Sequence, residues 1–384
     1  MNNQSTRQQF IEAAEVWVVK VGSRVLTGTD GRLDRDQVQR LANQLVELAN
    51  QGRQVVLVSS GAVASGVGRL GLSGRPTDLA TLQAVAAVGQ AHLIQVYEQT
   101  FSEHKRHAAQ VLLTASDLDD RKSYLNVRNT LNALLNMGAI PIINENDTVA
   151  VDELKTTFGD NDRLAAMVAG LFGKAILVIL SDVRGLFDRD PSDPQAQVIA
   201  TVSKVDASIE DLVRDRNTGI SKGGMASKLA AARFVNNSGN PVIIAWGREE
   251  NVLPRIASGE TLGTLFLPQA RGLASRKRWI SFTTQCSGSL VVDQGAQKAV
   301  CEKGTSLLAI GIRDVVGNFE QGDAVTILTP DGTEFARGLT NYNAAEIRQI
   351  RGCRSERIAE ILGHCPYDEV IHRDNLALSE AKTS

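Results

Sequence analysis

The sequence predicts an α/β protein with a mostly parallel open sheet and helices on both faces, followed by a separate, mostly β domain. From residue 16 to about 267, β-branched runs alternate with helical patterns, which favours a parallel sheet covered on both sides. After residue 267 the alternation stops, and short strand-like runs broken by glycines replace it. The strand candidates of the first part are residues 16–21, 54–59, 108–113, 140–144, 175–181 and 241–245.

The segments between these strands carry helix signals. Asp34 can cap a helix whose apolar residues recur at i, i+3, i+7 and i+10, starting from Val38. In a parallel α/β sheet, ligands bind beyond the carboxyl ends of the strands. The polar segments expected at those ends are residues 20–23, 59–62, 144–147 and 181–182. One edge of the sheet therefore collects the candidate functional residues.

Composition excludes several classes of function. The chain has 384 residues, enough for two domains, and its 41 basic and 43 acidic residues leave a net charge of -2. That balance gives no global electrostatic footprint for nucleic acid. The four cysteines have no C-x-x-C spacing and the five histidines form no H-x-x-x-H pair, so we expect reduced thiols and no metal held by histidines.

The ends of the chain and its apolar runs bear on location. Residues 1–15 are polar and lack the apolar centre of a signal peptide. We expect no apolar run of membrane-spanning length, since the longest, around residues 175–180, suits one buried strand. These features predict a cytoplasmic protein with no membrane segment.

The second part of the chain divides further. Four basic residues within 268–278 mark a linker, whose charges we expect to be solvated. Residues 279–366 form the mostly β domain, with strand candidates at 289–292, 307–310 and 324–328 and a turn at Asp331-Gly332. Residues 367–384 are expected to be a C-terminal tail, and residues 1–267 the first domain.

Two glycine-containing segments could contact phosphate. Residues 66–71 match G-x-G-x-x-G, but the match begins several residues after a strand and lacks an acidic residue at the expected distance, so we reject it as a dinucleotide fingerprint. Ser60-Gly61-Ala62 lies at a strand-to-helix junction, where free N–H groups favour an anion. A tight turn that requires glycine is the better explanation of this segment when it is considered alone.

Two lysines carry the same ambiguity. Lys20 ends a predicted buried strand, where it would either aim a cation at a phosphoryl group or extend its ammonium to solvent. Lys228 follows Gly223-Gly224 and would either contact phosphate or lie on the exposed face of a helix. Neither lysine decides the function alone.

Two acidic loops, residues 144–147 and 159–162, lie close together in the sequence. Turn and N-cap chemistry could explain them, and Asp160 can cap the helix that follows. Two such loops at one sheet edge exceed what capping needs, so we favour a functional role. The sequence offers no Ser-His-Asp or Cys-His set, and a carboxylate substrate with a pKa near ~4.3 needs no general base. The inventory therefore fits acyl-phosphate formation.

These residues resemble the amino acid kinase family across residues 16–267, and residues 279–366 resemble a PUA domain, a β-barrel module associated with RNA. The resemblance implies that Lys20 and Lys228 neutralise the transferring phosphoryl group while Asp162 positions both lysines. It implies that Ser60, Asp147 and Asn161 bind L-glutamate. The residues implied for ATP are Lys20, Ser181, Asp182, Lys222, Gly223, Gly224, Met225, Ala226, Ser227 and Lys228. Mg²⁺ would be carried by the phosphates. The motifs that carry the resemblance are V-V-K-V-G-S, V-S-S-G-A, I-N-E-N-D, G-D-N-D and G-G-M-A-S-K.

Within the family, the resemblance is to the members that phosphorylate the γ-carboxylate of glutamate in the first step of proline biosynthesis. It implies feedback inhibition by proline, transfer of the product to glutamyl phosphate reductase, and a homo-oligomer. Arg24 and Lys222 depart from the usual pattern of small or hydroxyl residues. The alternatives are a kinase of another carboxylate, such as N-acetylglutamate, and an RNA-binding protein acting through the PUA-like domain. An N-acylated substrate has no ammonium for Asp147, and the presence of both lysines and both acidic loops argues against a protein that only binds RNA, so neither alternative is favoured.

Overall fold

The computed structural model describes residues 3–119, 121–149, 160–213, 224–269, 280 and 286–379. The chain divides into two compact units. The first comprises Met1–Leu118 and Lys122–Gly272, and the second comprises Asp119–Arg121 and Leu273–Ser384.

The first unit is built on an eight-stranded sheet with the order β3-β4-β2-β1-β5-β7-β8-β6. Its strands are β1 (Val16–Val21), β2 (Gln54–Ser59), β3 (Ala108–Leu113), β4 (Ile140–Glu145), β5 (Ala175–Ser181), β6 (Thr201–Val202), β7 (Val242–Trp246) and β8 (Thr264–Phe266). Neighbouring strands of this sheet are parallel, except β7 and β8, which are antiparallel. The predicted mostly parallel α/β sheet is confirmed.

Helices cover both faces of this sheet. The described helices of the first unit are α1 (Asn3–Ala13), α2 (Ser23–Leu26), α3 (Arg35–Asn50), α4 (Ala62–Arg69), α5 (Leu79–Glu103), α6 (Ala115–Asp119), α7 (Arg121–Asn136), α8 (Asp160–Gly170), α9 (Ala207–Asp211), α10 (Met225–Asn237) and α11 (Val252–Ala257). Helices α3, α5 and α11 share an apolar core with one face of the sheet, and α8 packs against β1, β5 and α10. The central strands β1 and β5 are buried at every position, which explains their uninterrupted apolar sequences.

The sequence located the strands of the sheet centre well. Four of the six predicted strands have the expected bounds, whereas β4 extends to Glu145 and β7 is shifted to Val242–Trp246. Asp34 caps α3 as predicted, because its side chain accepts a hydrogen bond from the Gln37 amide at 3.0 Å. Strands β6 and β8 were not predicted, since two or three residues are too few to show a pattern.

A close helix crossing explains Gly66, the first glycine of the G-x-G-x-x-G match. Helices α4 and α5 cross so closely that a Cβ on Gly66 would lie 1.9 Å from the Val85 carbonyl oxygen. A Cβ on Gly89 would lie 1.8 Å from the Ala62 carbonyl oxygen. No side chain fits at either position. Gly66 therefore serves helix packing, in agreement with the rejection of a cofactor fingerprint.

Gly89→Ala is expected to destabilise the protein by about 1–3 kcal/mol or more, the scale of forced overpacking in a dense core. The added methyl group would meet backbone atoms of α4, which cannot rotate away as a side chain can. Urea unfolding measures the change. Gly170→Ala is the matched helical control, because its Cβ would make an ordinary 3.5 Å contact with Phe234. Equal stability of the two variants would contradict the close crossing.

Helix α5 corrects one expectation about apolar runs. It has 25 residues and is long and apolar enough to cross a membrane by length and composition alone. The prediction that no run reaches that length is therefore wrong. The helix packs against α3, α4 and β3, and its buried residues, which include Leu93 and Phe101, belong to the core of the first unit.

The second unit contains a five-stranded sheet with the order β10-β9-β11-β12-β13. Its elements are the strands β9 (Gly288–Val292), β10 (Ile312–Gly317), β11 (Ala324–Leu328), β12 (Glu334–Leu339) and β13 (Leu376–Leu378), with helices α12 (Gln294–Lys303), α13 (Ala344–Ile350) and α14 (Ile358–Leu362). Neighbouring strands are antiparallel except β9 and β11, which are parallel. The predicted turn is present, as the Gly332 amide donates to the Thr329 carbonyl.

Two expectations for this unit are wrong. Residues 307–310 do not form a strand: Leu307 makes an isolated bridge with Ile371, a 3₁₀ turn spans Ala309–Gly311, and the strand begins at Ile312. Residues 367–384 were expected to be a tail, but β13 pairs with β12. A three-residue strand after a polar segment gives no pattern that would reveal it.

Candidate active site

The centre of the site is one buried carboxylate between two buried ammonium groups. Asp162 Oδ1 lies 2.7 Å from Lys20 Nζ, and Asp162 Oδ2 lies 3.2 Å from Lys228 Nζ. The three residues are 1%, 6% and 8% exposed, respectively. Lys20 is the fifth residue of β1, Asp162 is in the first turn of α8, and Lys228 is in the first turn of α10. The Lys20 ammonium therefore does not extend to solvent, and Lys228 does not lie on an exposed helix face.

Burial and charge act in opposite directions on these groups. Burial alone would raise the pKa of Asp162, but Lys20 and Lys228 together bring it below its usual value. Burial is also the largest cause that lowers the pKa of Lys228, and Lys20 lowers it further, while Asp162 raises it. Asp162 thus stabilises two like charges at close range in a low-dielectric environment.

The start of α10 is shaped by glycine. Gly224 has φ of +103°, a conformation that side chains rarely adopt, and its carbonyl accepts a hydrogen bond from Lys228 Nζ at 2.9 Å. Ser227 Oγ donates to Asp162 Oδ2 at 2.8 Å. Met225 and Ala226 form the first turn of the helix with Ser227. The expected ATP-binding residues Lys222 and Gly223 lie outside the described residues.

A chain of side-chain amides lies beside the lysine pair. Asn161 Nδ2 donates to Ser60 Oγ at 2.9 Å and to Asn144 Oδ1 at 3.1 Å. Asn144 Nδ2 in turn donates to Gln90 Oε1 at 2.8 Å. This chain of hydrogen bonds therefore joins β4, α5, α8 and the Ser60 junction after β2. Ser60 and Asn161 are in contact as their shared predicted role requires, whereas Gln90 was not a candidate from the sequence.

Asp147 has its own electrostatic environment in the turn after β4. The side chain is half-buried, and burial followed by the nearby Glu145 carboxylate raises the pKa of Asp147 to about 6, despite the opposing effect of Arg75. No hydrogen bond between Asp147 and Ser60 or Asn161 is present in the described structure. A bound cation would therefore favour the ionised form of the Asp147 side chain.

The third part of the site is at the ends of β5 and β7. Ser181 Oγ donates to Asp182 Oδ1 at 3.0 Å, and Arg24 Nη1 donates to Asp182 Oδ2 at 2.8 Å. Partial burial would raise the pKa of Asp182, but these hydrogen bonds lower it. A cavity of about 320 Å³ lies nearby at the end of β7, lined among others by Arg184 and Trp246. The Arg24 guanidinium thus has an acidic partner at the predicted ATP side.

Comparison with known proteins gives the family. The amino acid kinase family model matches residues 15–245, and the PUA domain model matches residues 288–362. A glutamate 5-kinase of Rhodopirellula baltica is 52% identical over 377 residues, covering 98% of this chain and 97% of that protein. A glutamate 5-kinase of a Geobacter species is 49% identical over 373 residues, covering 97% of this chain and all of that protein.

The chain belongs to the glutamate 5-kinases of the amino acid kinase family. The predicted family, the kinase fold and the C-terminal PUA domain are therefore confirmed. The kinase unit contains Lys20, Asp162 and Lys228 together with the amide chain, all at the edge of the sheet formed by the carboxyl ends of its parallel strands.

The residues present fit a nucleotide that brings its own metal. Among the described residues, no group of three or more His, Cys, Asp or Glu side chains could hold a metal ion. The central carboxylate of Asp162 already forms ion pairs with two lysines, and Asp182 forms one with Arg24. Mg²⁺ prefers phosphate and water to a protein cage, so it would enter on the phosphates of a nucleotide.

Proposed function

We propose that this protein transfers the γ-phosphoryl group of ATP to the γ-carboxylate of L-glutamate, forming glutamyl 5-phosphate, the first step of proline biosynthesis. The observation that carries the proposal is the buried Lys20–Asp162–Lys228 group. Two cations and one anion leave a net positive charge where a phosphoryl group would develop negative charge. Transfer to a carboxylate depends on this kind of charge neutralisation and needs no general base.

Both lysines act on the transferring phosphoryl group. Asp162 fixes both ammonium groups before ATP binds, so little reorganisation is needed during transfer. A Cβ on Gly22 would lie 3.6 Å from Lys20 Nζ, so its absence leaves space for phosphate oxygens beside that ammonium. Because both lysines are buried, their interaction with phosphate is not weakened by bulk water.

The acceptor is held by neutral donors and one carboxylate. We assign Ser60 and Asn161 to the binding of glutamate, because Asn161 directly precedes Asp162 in the chain and donates a hydrogen bond to Ser60. Asp147 is the counter-ion of the α-ammonium group. The substrate γ-carboxylate is already ionised at neutral pH and attacks phosphorus directly.

The nucleotide would contact Ser181, Asp182 and the first turn of α10 from Gly224 to Lys228. The positive φ of Gly224 and the free amides of a helix start suit phosphate oxygens. Mg²⁺ bound to those phosphates would neutralise charge on the leaving group. Arg24, which departs from the family pattern, pairs with Asp182 and would lie near the same phosphates.

A hydroxamate assay tests the substrate directly. Purified protein with ATP, Mg²⁺, L-glutamate and hydroxylamine should form glutamyl hydroxamate, since hydroxylamine traps an acyl phosphate. N-acetylglutamate should be a much poorer substrate, because it offers no ammonium to Asp147. Equal turnover of N-acetylglutamate, or no hydroxamate from glutamate, would overturn the proposal.

The KM for glutamate should rise as the pH falls through about 6. Asp147 has a raised pKa of about 6, so it is charged above that pH and neutral below it. The neutral form cannot pair with the α-ammonium, and KM should then increase by about tenfold per pH unit at the low-pH limit, as titration of one group requires. Steady-state kinetics from pH 5 to 8 measure this. Asp147→Asn should have a high KM without this inflection, and an unchanged inflection in that variant would contradict the assignment.

Proline should inhibit by competing with glutamate. Both ligands present an α-amino group and an α-carboxylate to Ser60 and Asp147. Added proline is then expected to raise the apparent KM for glutamate without changing kcat. Inhibition that saturating glutamate cannot relieve would exclude a shared site.

The acyl phosphate product is short-lived in water, which favours direct use by glutamyl phosphate reductase.

We infer that the PUA domain supports the kinase and binds RNA weakly at most. Four of its arginines are paired with carboxylates, Arg348 donates to the Gly317 carbonyl, and three of its aromatic residues are core residues, which leaves few groups for phosphate binding or base stacking. The ion pairs are Arg313–Asp293, Arg337–Glu334, Arg351–Asp314 and Arg357–Glu360, and the buried aromatics are Phe319, Phe335 and Tyr342. Salt-sensitive submicromolar binding of structured RNA, lost on deletion of residues 268–384, would overturn this inference.

We also propose that the protein is cytoplasmic and forms a homo-oligomer. Proline biosynthesis draws on cytoplasmic ATP and glutamate, and α5 is accounted for by the kinase core. Light scattering on the purified protein measures the assembly, and a monomer at cellular concentrations would refute that part.

A further inference from the structure

We propose that Gln90 is a substrate-binding residue that donates a hydrogen bond from Nε2 to the α-carboxylate of glutamate. This inference rests on the proposed function, since it assigns a further contact to the same acceptor site. Gln90 is on α5, 30 positions after Ser60 in the sequence, and no motif marks it.

The fold holds Gln90 next to the site. The neighbouring Gly89 permits α5 to approach α4 so closely that a Cβ at Gly89 would overlap the Ala62 carbonyl. This crossing places the α5 backbone against the Ser60-Gly61-Ala62 junction. Gln90 is only 6% exposed, so its side chain is directed into the protein and not into solvent.

The hydrogen-bond chain determines which end of the Gln90 amide is available. Asn161 Nδ2 donates to Ser60 and to Asn144 Oδ1, which leaves Asn144 Nδ2 as the donor toward Gln90. Gln90 must then accept with Oε1. Its Nε2 group is the remaining end of the chain.

Gln90 Nε2 is buried and has no hydrogen-bond acceptor among the residues that the structure describes. Buried amide groups in native proteins are almost always hydrogen-bonded, so an unpartnered one at the end of an ordered chain indicates a missing acceptor. Under the proposed function the ligand of this site is glutamate, which has two carboxylates. The acceptor is therefore expected on that ligand.

The α-carboxylate is the better of the two acceptors. The γ-carboxylate must lie with Lys20 and Lys228 for phosphoryl transfer, and these lysines meet Asp162 next to Asn161. Gln90 is two hydrogen bonds farther along the chain, beyond Asn144. A neutral amide can recognise a carboxylate by a charge-assisted hydrogen bond without adding another positive charge beside the lysines.

The test uses Gln90→Met, which keeps the length of the side chain but has no donor, and Gln90→Glu, which can only accept when ionised. Gln90→Met should raise the KM for glutamate about ten- to hundredfold, the scale of one hydrogen bond to a charged group. The KM for ATP and kcat at saturating glutamate should stay within about twofold, because a ground-state contact to the acceptor is lost. Gln44→Met is the matched control, since Gln44 is also buried and its Oε1 accepts from the Leu253 amide, away from the site.

A second substrate gives a readout that a structural role would not change. The α-amide of glutamate keeps the γ-carboxylate, so it can still be phosphorylated, but it presents an NH₂ group as well as an oxygen at the α position. The wild-type protein should prefer glutamate in kcat/KM, and Gln90→Glu should reduce or reverse that preference. Wild-type hydroxamate formation from glutamate is measured first, so that failure of the proposed function is recognised separately. Unchanged KM for glutamate in Gln90→Met, together with an unchanged preference in Gln90→Glu, would overturn the inference.

Discussion

Lys20→Met should lower kcat for glutamate phosphorylation by about 10²–10³, or about 3–4 kcal/mol, the scale of one preorganised electrostatic group. The methionine preserves most of the buried volume but removes the cation 2.7 Å from Asp162. The loss should be in kcat and in kcat/KM together, because the lysine acts on charge that develops during transfer. Steady-state hydroxamate kinetics measure both constants.

Lys174→Met is the matched control for this prediction. Lys174 is a surface lysine whose ion pair with Glu15 is largely exposed, and such pairs contribute little to stability. Its kinetics should equal those of the wild-type protein. If Lys20→Met retains near-normal kcat with an intact fold, Lys20 is a structural residue and the assignment is wrong.

Asp162→Asn should be at least as damaging, because one substitution removes the partner of both lysines. Loss of one side of a buried ion pair typically costs about 3–5 kcal/mol of folding stability, since the remaining charge is left uncompensated. Activity should fall by about 10²–10³ as the lysines lose their positions. Thermal unfolding and kcat are the two measurements, with Asp188→Asn as a surface control whose partner Arg189 is exposed.

The pH dependence of the Asp162→Asn variant gives a sharper test. Burial and Lys20 already lower the pKa of Lys228, and Asp162 opposes this shift. Without the carboxylate, the pKa of Lys228 should fall further. The residual activity should then increase as the pH falls, because only the protonated lysine can stabilise phosphate. A residual activity that increases toward high pH would contradict this role.

The centre of the fold could be predicted because its signals are local. Strands β1 and β5 are buried on both faces, so their sequences are continuous β-branched and apolar runs with clear ends. Strands β6, β8 and β13 have two or three residues and are formed by tertiary pairing, which no local pattern reports. The 307–310 segment looked like a strand by composition, but a 3₁₀ turn replaces it.

The sequence indicated part of the candidate site but not all of it. Lys20, Asp162 and Lys228 were assigned by resemblance, and the geometry joins all three through one carboxylate. Gln90 could not be found in this way, because its place in the site depends on the crossing of two helices. The signal available in the sequence was a glutamine within the apolar helix α5, next to Gly89, a residue whose lack of a side chain permits that crossing.

In the proposed reaction a substrate carboxylate oxygen attacks phosphorus directly in the field of the paired lysines. The most direct test is to supply L-glutamate labelled with ¹⁸O in the γ-carboxylate and to analyse the phosphate released when hydroxylamine cleaves the product. Hydroxylamine attacks the carbonyl carbon, so the bridging oxygen leaves with the phosphate. We expect one ¹⁸O atom in each released phosphate from fully labelled substrate. Phosphate without the label would show that the new bond was not made to that carboxylate and would exclude direct attack.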